Sequence, residues 1–361
     1  RDTVLQWFYT TYGAQCPVSP IWELLWFDDT LPAQPPTPED FPLGRRFAAH
    51  SGLISSRSDW NPRTTASIVF GKAGTARVNH THPDGGQIEI LGHNRPLIVD
   101  LGSVNYPSQD KDRYYHFNSD GHNQVTLGGR PQRYDLEHEA VCVASDFDNA
   151  RGGWWRIDLT DLHEGVTAVR RTVIHLLPDI VVVFDEAQLH GPESIRLRWH
   201  PGGEPELGPA GRFCVTVDEV TLSAQIDALG LDPADLQSGH HAYVAPYDQD
   251  RIGNPMPQQR EPYVDLCVAG KHARLLSLFA IGGVGERVPD WRRTGPASWS
   301  WDGWTPPDEA GPMSHVCSST ESVSRSTPDT QPGAASATHV QVEEEHICVQ
   351  GPAGSWRVPI A

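Results

Sequence analysis

Short apolar runs separated by turn residues occupy most of the chain, and this pattern predicts a mainly β protein. From Leu53 to Val268 the runs are only a few residues long, and many breaks between them contain Gly or Pro, as in Leu177-Pro178-Asp179. Antiparallel strands in succession, with no helical pattern between them, favour a β-sandwich. The predicted strands cover residues 66–70, 141–144, 166–175, 180–185, 195–200 and 212–217. Within them, residues 170–175 and 180–185 form the clearest predicted hairpin, which we interpret as purely structural.

Helical patterning is confined to the first 30 residues. Apolar side chains recur at helical spacing at Val4, Leu5, Phe8 and Tyr9. Residues 21–27 favour a second short helix after Pro20. Because both segments are too apolar to be stable alone, we interpret them as the end of a helical domain that packs onto a larger structure. The closely spaced prolines of residues 31–38 predict a linker and hence a domain boundary.

The character of the chain changes again beyond Gly282. Four tryptophans lie among Pro, Gly and Asp, and core packing is favoured over stacking on sugar rings for Trp291, Trp299, Trp301 and Trp304. Residues 318–337 predict a flexible loop, and residues 340–349 and 355–360 predict closing strands. The expected organisation is a helical end (1–30), a linker (31–46), a β-sandwich domain (47–284) and a small C-terminal β subdomain (285–361).

Composition excludes some classes of function. A chain of 361 residues with 38% hydrophobic content and 12 Trp can bury one large or two moderate cores. The formal net charge of -18 opposes nonspecific binding to nucleic acid or to an anionic membrane, and no apolar run has transmembrane length. The six cysteines lack CxxC pairing, which disfavours a zinc knuckle and permits disulfides. The start at Arg1 suggests that a leader or domain has been removed, and a secreted or periplasmic location is favoured over a cytoplasmic one.

Candidate chemistry is concentrated between Val78 and Gly128. His80 and His82 point to the same face if residues 77–82 are extended. Asp100 ends the second strand of a predicted hairpin, and His122 precedes the stretch Gln124-Val125-Thr126-Leu127. Two imidazoles and one carboxylate make a common open site for zinc or a similar divalent ion, with water as a fourth ligand. A solvated or hydrogen-bonded histidine pair is the simpler alternative.

These residues resemble the C-terminal part of the heparinase II/III-like polysaccharide lyases. The resemblance rests on the order and spacing of Ser51-Gly52-Leu53-Ile54, Arg57-Ser58-Asp59-Trp60, His80-Thr81-His82-Pro83-Asp84, Ile98-Val99-Asp100-Leu101-Gly102, Tyr114-Tyr115 and His122-Asn123-Gln124-Val125. It extends at varying strength over residues 1 to 285. It implies a β-sandwich that follows an (α/α) toroid, with the active site in the cleft between the two.

The resemblance also implies roles for individual residues. His82, Asp100 and His122 are expected to bind a divalent metal, zinc before manganese or calcium, and His80 is expected to face the substrate. The resemblance places the catalytic tyrosine in the toroid, of which we expect this chain to contain only the end. The chain is therefore expected to work as a fragment, as a piece of a processed enzyme or with a partner chain, and self-association is left open.

The implied reaction is β-elimination at a uronic acid residue of an anionic polysaccharide. An enzyme must neutralise the carboxylate, remove the neighbouring proton and protonate the leaving oxygen. We expect His80 to contact the carboxylate or to act as the base, while the metal orders the segment that carries it. The candidate substrate contacts are Tyr106, Arg113, Tyr114, Tyr115 and Asn123. Core packing is the alternative for the three tyrosines, and bracing of the metal ligands is the alternative for Asn123. Lys111, Arg130 and Arg133 would add local positive charge.

Two other classes of function remain open at the level of sequence. A glycoside hydrolase would need paired carboxylates at a defined separation, and no acidic pair here stands out by its spacing. A noncatalytic carbohydrate-binding or scaffold domain would use the metal as a structural ion. Appearance of an unsaturated product separates a lyase from a hydrolase.

Overall fold

The structure, a computed structural model, describes residues 2–12, 28–47, 52–75, 82–102, 115–231, 235–245, 248–249, 253–255, 260–286, 288–302 and 337–360. Within these residues one α-helix and 21 strands occur. The first elements are α1 (Thr3–Tyr12), β1 (Gly44–Arg46), β2 (Leu53–Arg57), β3 (Ser67–Lys72), β4 (Gly74–Thr75), β5 (Ile88–Gly92), β6 (Arg95–Ile98) and β7 (Val125–Leu127). The middle strands are β8 (Glu139–Asp148), β9 (Gly152–Asp158), β10 (Val166–Leu176), β11 (Ile180–Trp199), β12 (Glu206–Gly208), β13 (Arg212–Val217) and β14 (Val220–Ala228). The last are β15 (Gln237–Ala242), β16 (Arg260–Ile281), β17 (Arg292–Gly295), β18 (Ser298–Trp301), β19 (Thr338–Val342), β20 (His346–Gly351) and β21 (Gly354–Pro359).

The strands form three antiparallel sheets. One small sheet has the order β1-β2-β3-β5-β6, and the other has the order β17-β18-β19-β20-β21. The large sheet has the order β12-β13-β14-β16-β11-β10-β9-β8-β4, with β15 beside β16 and β7 beside β11. The predicted mainly β, antiparallel sandwich is therefore confirmed.

The centre of the large sheet is buried on both faces, which explains the unbroken apolar run at the start of β11. Val181 and Val183 belong to the larger core cluster, which includes residues of the β1–β6 sheet. Ile180, Val182 and Phe184 belong to a second cluster shared with the C-terminal sheet. Because successive side chains point to opposite faces, a strand covered on both sides has to be apolar at every position.

The predicted hairpin is confirmed, but the predicted break between the strands 180–185 and 195–200 is wrong. Strands β10 and β11 pair from Leu176↔Ile180 outward, as expected. The runs 180–185 and 195–200 are parts of the one strand β11, and the segment around Gly191 is a register irregularity against β16 instead of a turn. A bulge lets Gly and Pro interrupt the ladder without ending the strand.

The ends of the chain agree with the sequence pattern where they are described. Helix α1 is confirmed, and the Asp2 carboxylate accepts hydrogen bonds from the Val4 and Leu5 amides at its start. The predicted helix at 21–27 lies outside the described residues, as does nearly all of the 318–337 loop and Trp304. The predicted run 340–349 is divided between β19 and β20 by a turn of glutamates.

Burial confirms the packing role of the described C-terminal tryptophans, since Trp291, Trp299 and Trp301 are all core residues. The domain boundaries at residues 30, 46 and 284 stay predictions. Among the described helical residues, none belongs to a helix long and apolar enough to cross a membrane.

Candidate functional site

The predicted metal ligands lie close together at the ends of strands in two sheets. His82 precedes β5, Asp100 follows β6 and His122 precedes β7. The His122 ring nitrogen Nδ1 lies 3.0 Å from Asp100 Oδ2, and the ring centroids of His82 and His122 are 5.4 Å apart. Residues separated by 40 positions in sequence therefore share one small region.

His122 is held in one orientation by its carboxylate partner. Since the Asp100 carboxylate only accepts hydrogen bonds, His122 Nδ1 carries a proton, and Nε2 is the ring nitrogen that faces away from Asp100. This Nε2 atom is fully buried and has no hydrogen-bond partner among the described residues. A carboxylate behind a histidine with an open second nitrogen is the usual arrangement around a metal ligand.

The pKa of His82 also suits a metal ligand. Burial, followed by the nearby positive charge of His122, lowers the pKa of His82 to about 4. The imidazole is thus neutral near pH 7, as metal binding requires. Even so, no group of three His, Cys, Asp or Glu within the described ranges is arranged as a metal site, so zinc binding stays a prediction.

Four of the predicted site residues lie outside the described part of the chain: His80, Tyr106, Arg113 and Tyr114. Lys111 lies there too. Arg130 pairs with Glu193 at 2.6 Å and Arg133 lies 3.6 Å from Glu164, so neither is an unpaired cation for an acidic ligand.

A cavity of about 460 Å³, here called the first cavity, opens beside His82 and Asp100. Its lining residues are Leu53, Phe70, Gly71, Lys72, His82, Asp84, Gln87, Glu89, Asp100 and Gly102. Lys72 forms an ion pair with Asp84, and burial, then the charge of Asp100, raises the pKa of Glu89 to about 7. Sequence reasoning missed Lys72, although its place at the end of an apolar strand was a usable signal.

Asn123 lies behind the site instead of in it. Its side chain is fully buried, and its amide nitrogen donates to the carbonyls of Ile88 and Val99 at 2.9 and 2.8 Å. Its amide oxygen accepts from the His200 backbone N–H at 2.6 Å. These bonds engage the amide group within the fold, and the contact of Asn123 with substrate stays a prediction. Asn123 braces the strand ends that carry Asp100 and His122.

A buried arginine ties the two histidine-bearing segments to the large sheet. The Arg171 guanidinium is fully buried and donates to both oxygens of Asp185, at 2.7 and 2.9 Å. Its third nitrogen donates to the backbone carbonyls of Gly86 and Asn123. The hairpin β10–β11, predicted to be structural, thereby holds the backbone at Gly86 and Asn123.

A second cavity of about 530 Å³ lies beside the segment 115–121. Its lining residues are Tyr115, Asn118, Asp120, Arg198, His240, His241 and Tyr263. Tyr115, a predicted substrate contact, is 7% exposed, and its ring stacks on His241 with centroids 3.9 Å apart. Its predicted contact with substrate stays a prediction, and no sequence pattern singled out the other six residues.

Hydrogen bonds connect this second cavity to Asn123. Arg198 Nη1 lies 2.8 Å from the Tyr115 hydroxyl, which lies 3.0 Å from His200 Nε2. His200 Nδ1 lies 3.2 Å from Asn123 Oδ1. Because an amide oxygen only accepts, Nδ1 carries the proton of the neutral ring and Tyr115 donates to Nε2. Burial lowers the pKa of His200, which keeps this ring neutral.

Glu261, next to the second cavity, gives a testable pH dependence. Burial raises its pKa to about 7, although the hydrogen bond from Tyr243 opposes the shift. A carboxyl whose pKa is higher in the folded state contributes stability below its unfolded pKa, and this contribution is lost as the pH rises through the folded value. We expect Glu261→Gln to change the free energy of unfolding little at about pH 4.5 and to increase it at about pH 8.5, measured by urea denaturation.

The matched control is Glu139→Gln, which replaces an exposed carboxylate on β8. It should show no comparable difference between the two pH values. An equal effect of Glu261→Gln at both pH values would contradict the assignment of a protonated Glu261 in the folded protein.

The chain resembles known proteins in both sequence and structure. Residues 42–244 match the family model described as heparinase II/III-like, C-terminal. The solved heparan sulfate lyase HepC from Pedobacter heparinus is 14% identical, with a TM-score of 0.60 over 100% of this chain and 48% of that one. The heparinase III BT4657 gene product is 14% identical, with a TM-score of 0.60 over 88% of this chain and 42% of that one. A third structure, of heparinase III, is 13% identical, with a TM-score of 0.58 over 98% of this chain and 48% of that one.

This chain spans less than half the length of each of these structures. At such low identity the likeness shows a shared fold. No curated protein gives a significant match to the sequence.

Proposed function

Because the chain belongs to the heparinase II/III-like family through a match over residues 42–244, we propose that it is the β-sandwich part of a polysaccharide lyase. The proposed reaction is β-elimination at a uronic acid residue of an anionic polysaccharide. The observation that carries the proposal is the meeting of His82, Asp100 and His122 beside the first cavity, inside the matched region. The remaining catalytic groups would come from a toroid domain or a partner chain.

The steps of the reaction assign a task to each group. A base removes the proton from the carbon next to the carboxylate, a carbon–carbon double bond forms, and the bond to the glycosidic oxygen breaks. The leaving oxygen then takes a proton. His80 is the proposed carboxylate contact or base, since imidazole titrates close to neutral pH.

The charge of the first cavity supports a metal at this site. Lys72 is matched by Asp84, which leaves the Asp100 carboxylate and the buried Glu89 on a surface that should receive an acidic sugar. We infer that His82, Asp100 and His122 would hold a divalent ion, and this donor set favours zinc over the oxygen-preferring calcium. The ion would supply positive charge that offsets the carboxylates and would order the segment carrying His80.

Replacing one proposed ligand tests this inference without an activity assay. We expect His82→Ala to lower the metal content of the purified chain severalfold, measured by inductively coupled plasma mass spectrometry, and to lower the thermal midpoint of the loaded protein. The control is His138→Ala, since His138 pairs with Asp135 at 2.8 Å in the described structure and is no predicted ligand. Unchanged metal content in His82→Ala would refute the ligand assignment.

The decisive experiment for the function is an elimination assay. The complete enzyme, including any helical portion, is incubated with a panel of uronic acid polymers and the near-ultraviolet absorbance is followed. A lyase produces an unsaturated, absorbing product, whereas a hydrolase produces reducing ends without absorbance. Binding of the polymers without either product would instead favour a noncatalytic carbohydrate-binding role.

A further inference from the structure

The segment 83–87, which follows His82, makes a hydrogen bond to another part of the chain at each of its five residues. The partners of these residues, in chain order, are Gln124, Lys72, Gln132, Arg171 and Asn123. Two of these partners, Gln124 and Gln132, are buried glutamines that no sequence pattern singled out. Bonds at every position fix the backbone next to His82.

Gln132 binds both polar backbone groups of Gly85. Its side-chain oxygen accepts from the Gly85 N–H at 3.0 Å, and its amide nitrogen donates to the Gly85 carbonyl at 2.8 Å. A β-carbon at residue 85 would lie 2.3 Å from a methyl carbon of Leu162, so only glycine allows this close approach. The backbone N–H of Gln132 donates to the Ser119 hydroxyl at 2.9 Å. Gln132 therefore joins the segment after His82 to the segment that leads to His122.

Gln124 makes the same connection from the other side. Its amide nitrogen donates to the Ser119 carbonyl at 2.8 Å and to the Pro83 carbonyl at 3.3 Å. Its oxygen is buried without a hydrogen-bond partner among the described residues. An unmatched buried acceptor costs stability. A side chain that carries this cost and still joins the two segments suits a positioning role.

The distance between the two histidines depends on these connections. The ring centroids of His82 and His122 are 5.4 Å apart, and Asp100 fixes only the second ring directly, at 3.0 Å. Zinc–imidazole bonds are about 2.0–2.1 Å long, so a small change in ring separation weakens the coordination. Side chains that order a site in advance reduce the cost of binding.

We propose that Gln124 and Gln132 are positioning residues that hold His82 at its distance from His122 before any ion binds. The benefit to the ion rests on the proposed function, whereas the fixed distance is a property of the metal-free chain. Neither glutamine lines the first cavity. Both act through the backbone on either side of the two histidines.

The first test uses the metal-free full chain and nuclear magnetic resonance. The His82 and Phe117 rings have centroids 4.3 Å apart, so a cross-peak between their protons is expected. A second cross-peak is expected between His82 and His122. Gln124→Leu and Gln132→Leu should weaken both cross-peaks, because the bonds that hold the backbone beside His82 are lost.

The second test measures zinc affinity by competition with a chromophoric chelator, after circular dichroism has shown that each variant is folded. Each leucine variant should bind zinc about 10–100-fold more weakly, the usual effect of losing a residue that orients a ligand. The visible absorption of bound cobalt(II) should change as well, since it reports the geometry around the ion.

The matched control is Gln225→Leu. Gln225 is another buried glutamine, and its amide nitrogen donates to the Ala210 carbonyl and to the Asp227 carboxylate instead. This variant should lose stability and keep the affinity and the cobalt spectrum. If a leucine variant does not fold, Gln132→Glu takes its place, since it keeps the side-chain length and loses only the donor to the Gly85 carbonyl.

The outcomes separate this proposal from the proposed function. Unchanged cross-peaks in the glutamine variants, or zinc affinity equal to that of the wild type, would overturn the positioning role. An equal loss of affinity in Gln225→Leu would overturn it too, because the effect would then follow stability alone. A wild-type chain that binds no zinc, with cross-peaks that weaken in the variants, would refute the ligand assignment and leave the positioning role standing.

Discussion

Replacing Arg171 by methionine is expected to lower the free energy of unfolding by about 3–5 kcal/mol, because it leaves the Asp185 carboxylate buried without a partner. Arg171 is fully buried and Asp185 is 4% exposed, so water cannot replace the lost hydrogen bonds. The substitution also removes the donors that bind the carbonyls of Gly86 and Asn123. Urea denaturation measures the change in stability.

Two further variants separate the cause from a general loss of packing. Arg170→Met removes the neighbouring, half-exposed arginine, which lies 3.8 Å from Asp158, and should cost no more than about 1 kcal/mol. The double variant Arg171→Met with Asp185→Leu should regain much of the loss, because no unpaired charge remains. A double variant as unstable as Arg171→Met alone would show that the unpaired carboxylate is not the cause.

The largest effect on activity is expected from His80→Ala. A positioned general base contributes about 10²–10⁴-fold to a rate, so the elimination rate of the complete enzyme should fall by that factor. The metal content should stay at the wild-type level, since His80 is not a proposed ligand. In His82→Ala, by contrast, both the elimination rate and the metal content should fall. Initial rates of near-ultraviolet absorbance, together with metal analysis of the same samples, measure the two properties separately.

His190→Ala provides the matched control for this variant. His190 is an exposed histidine on β11, remote in sequence from the proposed site. Its replacement should leave rate and metal content unchanged. A His80→Ala enzyme with full activity would exclude His80 from proton transfer and would move the search for the base to the toroid.

Much of the fold could be predicted from local pattern. The β10–β11 hairpin follows from two apolar runs on either side of Leu177-Pro178-Asp179, and its pairing begins where that turn predicts. The break expected near Gly191 was wrong because a strand paired on both sides can absorb an irregular segment without ending. The spacing of apolar residues indicates the local backbone conformation. The continuity of a strand depends instead on its hydrogen bonds to the neighbouring strands.

The candidate site could be predicted only in part. The spacing of His82, Asp100 and His122 pointed to three strand ends, and the structure brings these residues together. Asn123 stays a predicted substrate contact, and only the structure shows that its amide donates to the carbonyls of Ile88 and Val99 on the inside of the fold. Sequence adjacency does not reveal which side of the chain faces a cavity.

The amino-acid sequence by itself determined the β-rich class, the main hairpins and the choice of histidine and carboxylate residues, because each depends on spacing along a few neighbouring positions. Only the tertiary structure decided that Arg171 binds the carbonyls of Gly86 and Asn123, that Lys72 pairs with Asp84, and that Tyr115 lines the second cavity. These contacts join distant segments through the packing and register of whole sheets. A shift of one residue in that register would turn the same side chains to the opposite face.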